Sequence, residues 1–341
     1  MRAMIFETTD GPDALKAAEK PVPEPGPGEV LVRISAASIN YRDLLIAKGG
    51  YRKRQKQTDL VPLSDGAGTV EAVGPAVDEF KPGDRVTACF FLDWPAGQAT
   101  EHAMESDSGR ARDGMLQEYR VIPVSGLVHT PANLSDAEAA SLTCAGLTAW
   151  SAIVRLGCAE PGDAILTQGT GGVSLFALQF AKMNGCRVAI TSSSDEKIER
   201  AQDLGADQGI NYAATEDWGI AAKRWAGGDG VDNVVELGGT ETMKQSLIAV
   251  RPGGTLSLIG VLSGATTGNV LLPFIVSRDV RLQGVTVGPK DAMQQMCKAI
   301  ETAGMKPVID RVFPLTDAAE AYRHLASGKH FGKVCISVSG D

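Results

Sequence analysis

The chain has 341 residues, more than one ordinary core, and is 43% hydrophobic and 22% charged with 39 glycines, which fits a globular protein of two domains and excludes a disordered or fibrous one. A net charge of −8 gives an acidic surface that repels phosphate backbones, so neither nucleic acid nor an anionic membrane is an expected partner. No apolar run approaches the roughly eighteen residues needed to span a bilayer, and the opening MRAMIFETTDG reads as a strand and turn, so a cytoplasmic location is expected.

Residues 1–125 are β-rich. GEVLVRISAASIN is a strand entered through the proline- and glycine-rich PVPEPGPGE, GAGTVEAVG is another, and the turn FKPGDRV leads into VTACFFL. Residues 93–114 are small, polar and unpatterned, and read as a surface loop. A helical pattern starts at Ser135, with Glu138 three residues on as a capping box. Strands then alternate with helices: ILTQ, RVAIT, QGINY, VDNVVEL, GTLSLIGV and VRLQGVTVG. Six short strands with helical crossovers predict an α/β architecture with a parallel, doubly wound sheet. A helix from about Asp291, the strand VIDRVFP, the helix TDAAEAYRHLAS and the strand KVCISV close the chain, and their texture places them with the first part. The six cysteines stand singly, without a CxxC pair, and read as reduced thiols.

Between Ala164 and Ser194 the order is strand, glycine-rich turn GTGGVS, apolar helix and second strand, the βαβ unit that grips a dinucleotide. Gly169 permits the tight turn and Gly171 lets the backbone approach a pyrophosphate, which then meets the amides of Thr170, Gly172 and Val173 at the helix start. Ser174 takes the place of the third glycine. An NAD site usually has an acid at the end of the second strand; here that place holds Thr191, Ser192, Ser193 and Ser194. Asp195 and Glu196 are explained by a capping box, Ser193-x-x-Glu196, on the next helix. Hydroxyls with Lys197 close by suit a 2′-phosphate, and Tyr212 at the end of the third strand is placed to cover it. NADPH is the expected cofactor, with NADH left open.

The blocks GEVLVRISAASINYRD, PLSDGAGTVEAVG, FKPGDRV, LTCAGLTAW, QGTGGVS and GKVCI together resemble the medium-chain dehydrogenase/reductase superfamily, and within it the zinc-independent quinone-oxidoreductase-like branch. The resemblance covers nearly the whole chain. It implies a Rossmann dinucleotide-binding domain, residues 128–290, inserted into a GroES-like β-rich catalytic domain, residues 1–127 and 291–341. Zinc-dependent members carry a cysteine, a His-Glu pair and a second cysteine. Here the first position falls at Ile39-Asn40, the pair reads Ser64-Asp65, and Cys144 alone is matched. One thiol with Asp65 falls short of the three protein ligands of a catalytic zinc, so no metal is expected. The loop 93–114 also lacks the four cysteines of zinc-bearing relatives, and His102 there reads as solvated.

Without a metal, hydride transfer suits an acceptor that delocalises charge, such as a quinone or an α,β-unsaturated carbonyl, with donors placed for the developing oxyanion. The resemblance implies Asn40 and Tyr41 facing the nicotinamide, Thr148 on its ribose and ring, and Tyr51 and Asp65 lining the substrate. It also implies cofactor contacts at Leu237, Gly238, Gly260, Val261, Leu262, Val285, Thr286 and Val287, and a Lys333 that reaches the pyrophosphate. Asn40 has a turn-capping alternative, Asp43 reads as a helix-start acid, and Leu237, Val261 and Val285 as core positions. The strand RLQGVTVG is the expected sheet edge, and in relatives it pairs with a second copy, implying a homodimer. Two other functions stay open: an NAD(P)-dependent alcohol dehydrogenase or ketone reductase, and a nucleotide-binding redox sensor without turnover. Specificity is expected to rest on loops 51–60, 93–114 and 264–273.

Overall fold

A computed structural model describes all residues except 52–55, 57, 265, 267–271 and 340–341, so much of the first and last specificity loops lies outside the described residues. The chain forms two compact units, Met1–Leu147 with Gly288–Asp341, and Thr148–Val287. The first unit runs about twenty residues beyond the expected border at 127. Leu127–His129 pairs with Arg85–Ala88, and Thr143 Oγ1 donates to Ala88 O at 2.8 Å, which ties this segment to the β-rich unit.

In the first unit the long strand Glu29–Ile39 is buried along most of its length, residues 30–32 and 36–39 included, and only Arg33 is exposed, as suits a strand at the middle of a sheet. It is the centre of a seven-stranded sheet. Asp65–Val73 runs antiparallel on one side with Ser38 opposite Asp65, and the last strand, Lys333–Ser337, runs antiparallel on the other with Ile39 opposite Val334. This register puts Lys333, Asn40 and Asp65 at one end of three neighbouring strands. The core beneath includes Phe6, Ile39, Leu63, Phe313 and Tyr322, with the Phe6 and Tyr322 rings edge to face at 5.8 Å.

The second unit is a six-stranded parallel sheet in the order Gln208–Asn211, Arg187–Ser192, Ala164–Gln168, Val231–Glu236, Val250–Leu258, Arg281–Gly284. Ala164–Gln168 is buried at every position, as a central parallel strand must be. The winding reverses between this strand and Val231–Glu236, and ligands of such sheets bind beyond the carboxyl ends of the strands at that reversal. The edge strand ends at Gly284, short of the predicted VTVG, because Val287 turns to φ 45° and its carbonyl accepts from Ser151 Oγ at 2.6 Å.

Two predicted elements differ. The helix from Ser135 has its capping box, but it widens into π-turns at Leu142–Gly146 and Ser151–Arg155. At the second, the Ala152 carbonyl is drawn aside by Asn233 Nδ2 at 2.8 Å and Ser257 Oγ at 3.3 Å. The loop 93–114 is not merely surface: it forms a helical turn at Glu101–Met104 and buries Ser106, Asp107, Ser108 and Arg110. The reason is charge. Asp107 receives Arg110 Nη2 at 2.5 Å and pairs with Arg42, whose guanidinium lies 4.9 Å from the Tyr51 ring centre and 4.6 Å from that of Phe90.

Candidate functional site

The glycine-rich turn follows from the strand before it. Gly169 adopts φ 74°, with open space where a Cβ would stand, and its amide donates to Thr191 O at 2.9 Å. The helix Gly172–Met183 has Gly171 as its N-cap, which offers no side chain to its first amides, so a bound anion meets them directly. Ser174 does more than fit: its hydroxyl donates to Gln168 O at 2.6 Å and locks the helix onto the strand. Thr170 is buried beside it. This donor set and open cradle suit a dinucleotide phosphate.

At the end of the second strand Ser192 is buried and Ser193 exposed, and the Tyr212 amide donates to Ser192 O at 3.0 Å, which brings two expected cofactor residues together. The helix cap is Ser194, accepting from Lys197 N at 3.3 Å, rather than Ser193. Lys197 is half-buried and engaged in a contact, and Tyr212 is exposed. Asp195 receives Asn211 Nδ2 at 2.7 Å.

A polar knot missed from the sequence shapes the fourth strand end. Glu236, fully buried, accepts the Gly238 and Gly239 amides at 2.8 and 2.9 Å and the Thr242 hydroxyl at 2.5 Å. Gln168 Oε1 accepts the Leu237 and Gly238 amides at 3.1 and 3.2 Å. A long polar side chain at the last position of a strand is the signal both share. Gly260 abuts this turn so closely that a Cβ would lie 2.2 Å from Leu237 O. Val261 and Leu262 are exposed, whereas Val285 and Val287 are buried and Thr286 half-buried. Thr148 is buried on the short helix Leu147–Trp150.

The other cluster lies within the first unit. Asn40 caps the helix Tyr41–Ala47, its amide donating to Asp43 Oδ2 at 2.7 Å, so Asn40 and Asp43 both play the structural parts weighed for them. Lys333 Nζ donates to Asn40 Oδ1 at 2.6 Å and Ile39 O at 2.9 Å, and pairs with Asp65 Oδ2 at 3.5 Å. Ser64 Oγ donates to Asp65 Oδ1 at 2.8 Å. Lys333, expected on a pyrophosphate, is 3% exposed and makes two hydrogen bonds and one ion pair inside the unit. Tyr41 points to solvent and stays out of the cluster, while Tyr51 lies against Arg42.

Burial pushes the Asp43 carboxyl up to about 6, opposed by Arg42 and reinforced by the like charge of Asp65. Burial also raises Asp65, opposed by Lys333, Asn40 and the Ser64 hydroxyl. The Cys144 thiol, half-buried and close to Asp65, is raised strongly by desolvation and by that like charge, which favours its protonated form. A zinc ion needs thiolate, imidazole or a free carboxylate. Here one neutral thiol stands near a carboxylate already matched by an ammonium, and this donor set does not fit zinc. Among the described residues, no group of three or more His, Cys, Asp or Glu is placed to hold a metal ion.

The family profile described as alcohol dehydrogenase GroES-like domain matches residues 26–132, and that of zinc-binding dehydrogenase matches residues 172–302. A zinc-type alcohol dehydrogenase-like protein of Schizosaccharomyces pombe is 43% identical over 99% of both chains. A chloroplastic quinone-oxidoreductase of Triphysaria versicolor is 30% identical over 98% of each. Among solved structures, an NAD-dependent alcohol dehydrogenase is 35% identical, covering 99% of this chain and 100% of its own, with a TM-score of 0.91. A mycobacterial protein in complex with NADPH is 27% identical over 99% of both chains, with a TM-score of 0.82.

Proposed function

We propose, for a chain that belongs to the medium-chain dehydrogenase/reductase superfamily, that this NAD(P)H-dependent oxidoreductase uses NADPH to reduce a quinone or an α,β-unsaturated carbonyl without zinc. The observation that carries the reading is the Asp65–Lys333 pair beside a protonated Cys144, where the zinc-dependent relatives hold their metal. With no Lewis acid in reach, the acceptor itself must spread the incoming charge.

NADPH, when bound, supplies the hydride. The turn Gly169–Val173 holds the pyrophosphate on amides and a helix N-terminus. Ser192, Ser193, Lys197 and Tyr212 surround the 2′-phosphate, a preference supported by the absence of a carboxylate at the end of this strand. Leu237, Gly238, Gly260, Val261, Leu262, Val285 and Thr286 line the nicotinamide half through backbone atoms. Thr148 bonds the ribose. Asn40 faces the oxygen that gains charge, and Tyr51, packed on Arg42, lines the acceptor. The outer side of Arg281–Gly284, the last strand of its sheet among the described residues, fits pairing with a second copy. Singly placed, unpaired cysteines fit a reducing cytoplasm.

The test is an NADPH-oxidation screen over quinones, enones, aldehydes and ketones, with metal analysis of the same sample. The reading predicts turnover with quinones or enones, weaker turnover with NADH, and no stoichiometric zinc. Oxidation of simple alcohols, stopped by a chelator and accompanied by about one zinc per chain, would establish the alcohol dehydrogenase named among the relatives instead.

A further inference from the structure

Arg120 stands on the strand Tyr119–Pro123, opposite the buried Val32 of the central strand, and is itself only 8% exposed. Its Nε and Nη1 are enclosed and make no hydrogen bond. The acids around it serve other cations. Asp113, whose charge favours the Arg120 cation, already receives Lys20 Nζ at 2.9 Å, Lys56 Nζ at 3.1 Å and the Val61 amide at 3.2 Å. Glu118, two residues back along the strand, receives Arg2 Nε at 2.7 Å. Arg112 adds a like charge that acts against Arg120, and its own partner is Asp93 at 2.9 Å. Arg120 is thus the guanidinium left over in a cluster of cations, on a chain whose net charge is −8. Burial draws it down to about 10, which still leaves it a cation at neutral pH. A buried charge without a partner is far more costly than a neutral polar group, and water offers it a dipole but no opposite charge.

We propose that Arg120 is the core of an anion site in the first unit, which takes a small monovalent anion of the size of chloride. One surplus charge fits a monoanion, and the slight exposure fits a small one. Nη2 is neither enclosed nor hydrogen-bonded, so the guanidinium stays open to a ligand on that side. Arg112, Lys20 and Lys56 raise the local potential, which draws an anion inward against the sign of the whole chain. The site involves no residue assigned to the cofactor or the acceptor, so it stands or falls apart from the hydride chemistry. Its role is to complete the β-rich unit, as an ion bound by the folded chain and not by the unfolded one.

The experiment follows urea unfolding of wild type and Arg120→Met at pH 7 while sodium chloride replaces sodium gluconate at constant ionic strength. A ligand bound only by the folded chain lowers the unfolding constant by about tenfold once it reaches ten times its Kd. Wild type is expected to show that gain, and Arg120→Met to be indifferent to chloride. A parallel series with sodium formate separates a carboxylate occupant from a halide, the anion that acts at the lower concentration being the better match. A wild type indifferent to both anions, or an equal shift in the two chains, would overturn the site. Should Arg120→Met not fold, a wild-type crystal grown in sodium bromide decides: an anomalous peak in contact with the guanidinium supports the site, and its absence refutes it. Bromide found there without any anion-dependent stability would be an adventitious ion only, which also overturns it.

Discussion

Gln168 Nε2 donates to Glu236 Oε2 at 2.8 Å, joining the ends of two adjacent parallel strands whose residues lie 68 positions apart in the chain. Ser246 completes the knot, accepting from Gln168 Nε2 at 2.7 Å and donating to the same Glu236 oxygen. Because Glu236 gathers donors only, Glu236→Gln turns an amide nitrogen toward groups that need an acceptor. Unfolding by urea should show a loss of about 2–3 kcal/mol, the cost of stranding buried donors. NADPH affinity should fall with it, since the 237–239 turn is shaped by this side chain.

The Asp43 carboxyl, pushed up to about 6 chiefly by burial, gives stability a readable dependence on pH. An acid whose folded value lies above its unfolded one binds protons more tightly when folded, so its contribution declines as pH rises from about 4 to about 6 and is flat above. Asp43→Asn lacks that decline. Urea midpoints at pH 4.5 and pH 7 should therefore shift in favour of the variant at the higher pH, by up to ~2 kcal/mol. An unchanged difference between the two chains would show that Asp43 does not titrate in this range.

Two glycines should respond to alanine for different reasons. At Gly169 the space is open and only the left-handed backbone resists, so Gly169→Ala should cost about 1–2 kcal/mol. At Gly260 the new methyl would stand 2.2 Å from the Leu237 carbonyl, and backbone cannot swing aside as a side chain can. Gly260→Ala should be the more damaging of the pair in thermal unfolding.

Thiol labelling gives a further check. Burial raises Cys89 and Cys297 to about 12 and Cys186 and Cys335 to about 11, and it raises Cys144 strongly, while Cys158 is exposed. At pH 8 the native chain should react rapidly at one cysteine, and Cys158→Ser should remove that reaction. Rapid labelling of Cys144, which is half-buried, would contradict the protonated thiol on which the zinc-free reading leans.

The parallel sheet is legible in the sequence because short strands alternate with helical crossovers and turn residues, and the central one, Ala164–Gln168, is buried at all five positions. The dinucleotide turn is legible for the same local reason: strand, glycine turn and helix stand next to one another. Lys333 is not. Its partner Ile39 lies 294 residues away, and only the register of the last strand against the first long one brings them together. The pairing of Arg42 with Asp107 is equally hidden, since nothing in a small, polar loop marks one acid among several as buried. Residue type announces what a side chain can do, while non-local pairing decides with whom.

Where zinc-bearing relatives close this lobe with sulfur, Arg42, Asp107 and Arg110 close it with a carboxylate clasped between two guanidinium groups. Such a clasp contains nothing to oxidise and nothing to chelate. The lobe should keep its shape through peroxide or EDTA treatment, and its integrity is thereby uncoupled from the metal supply and redox state of the cell.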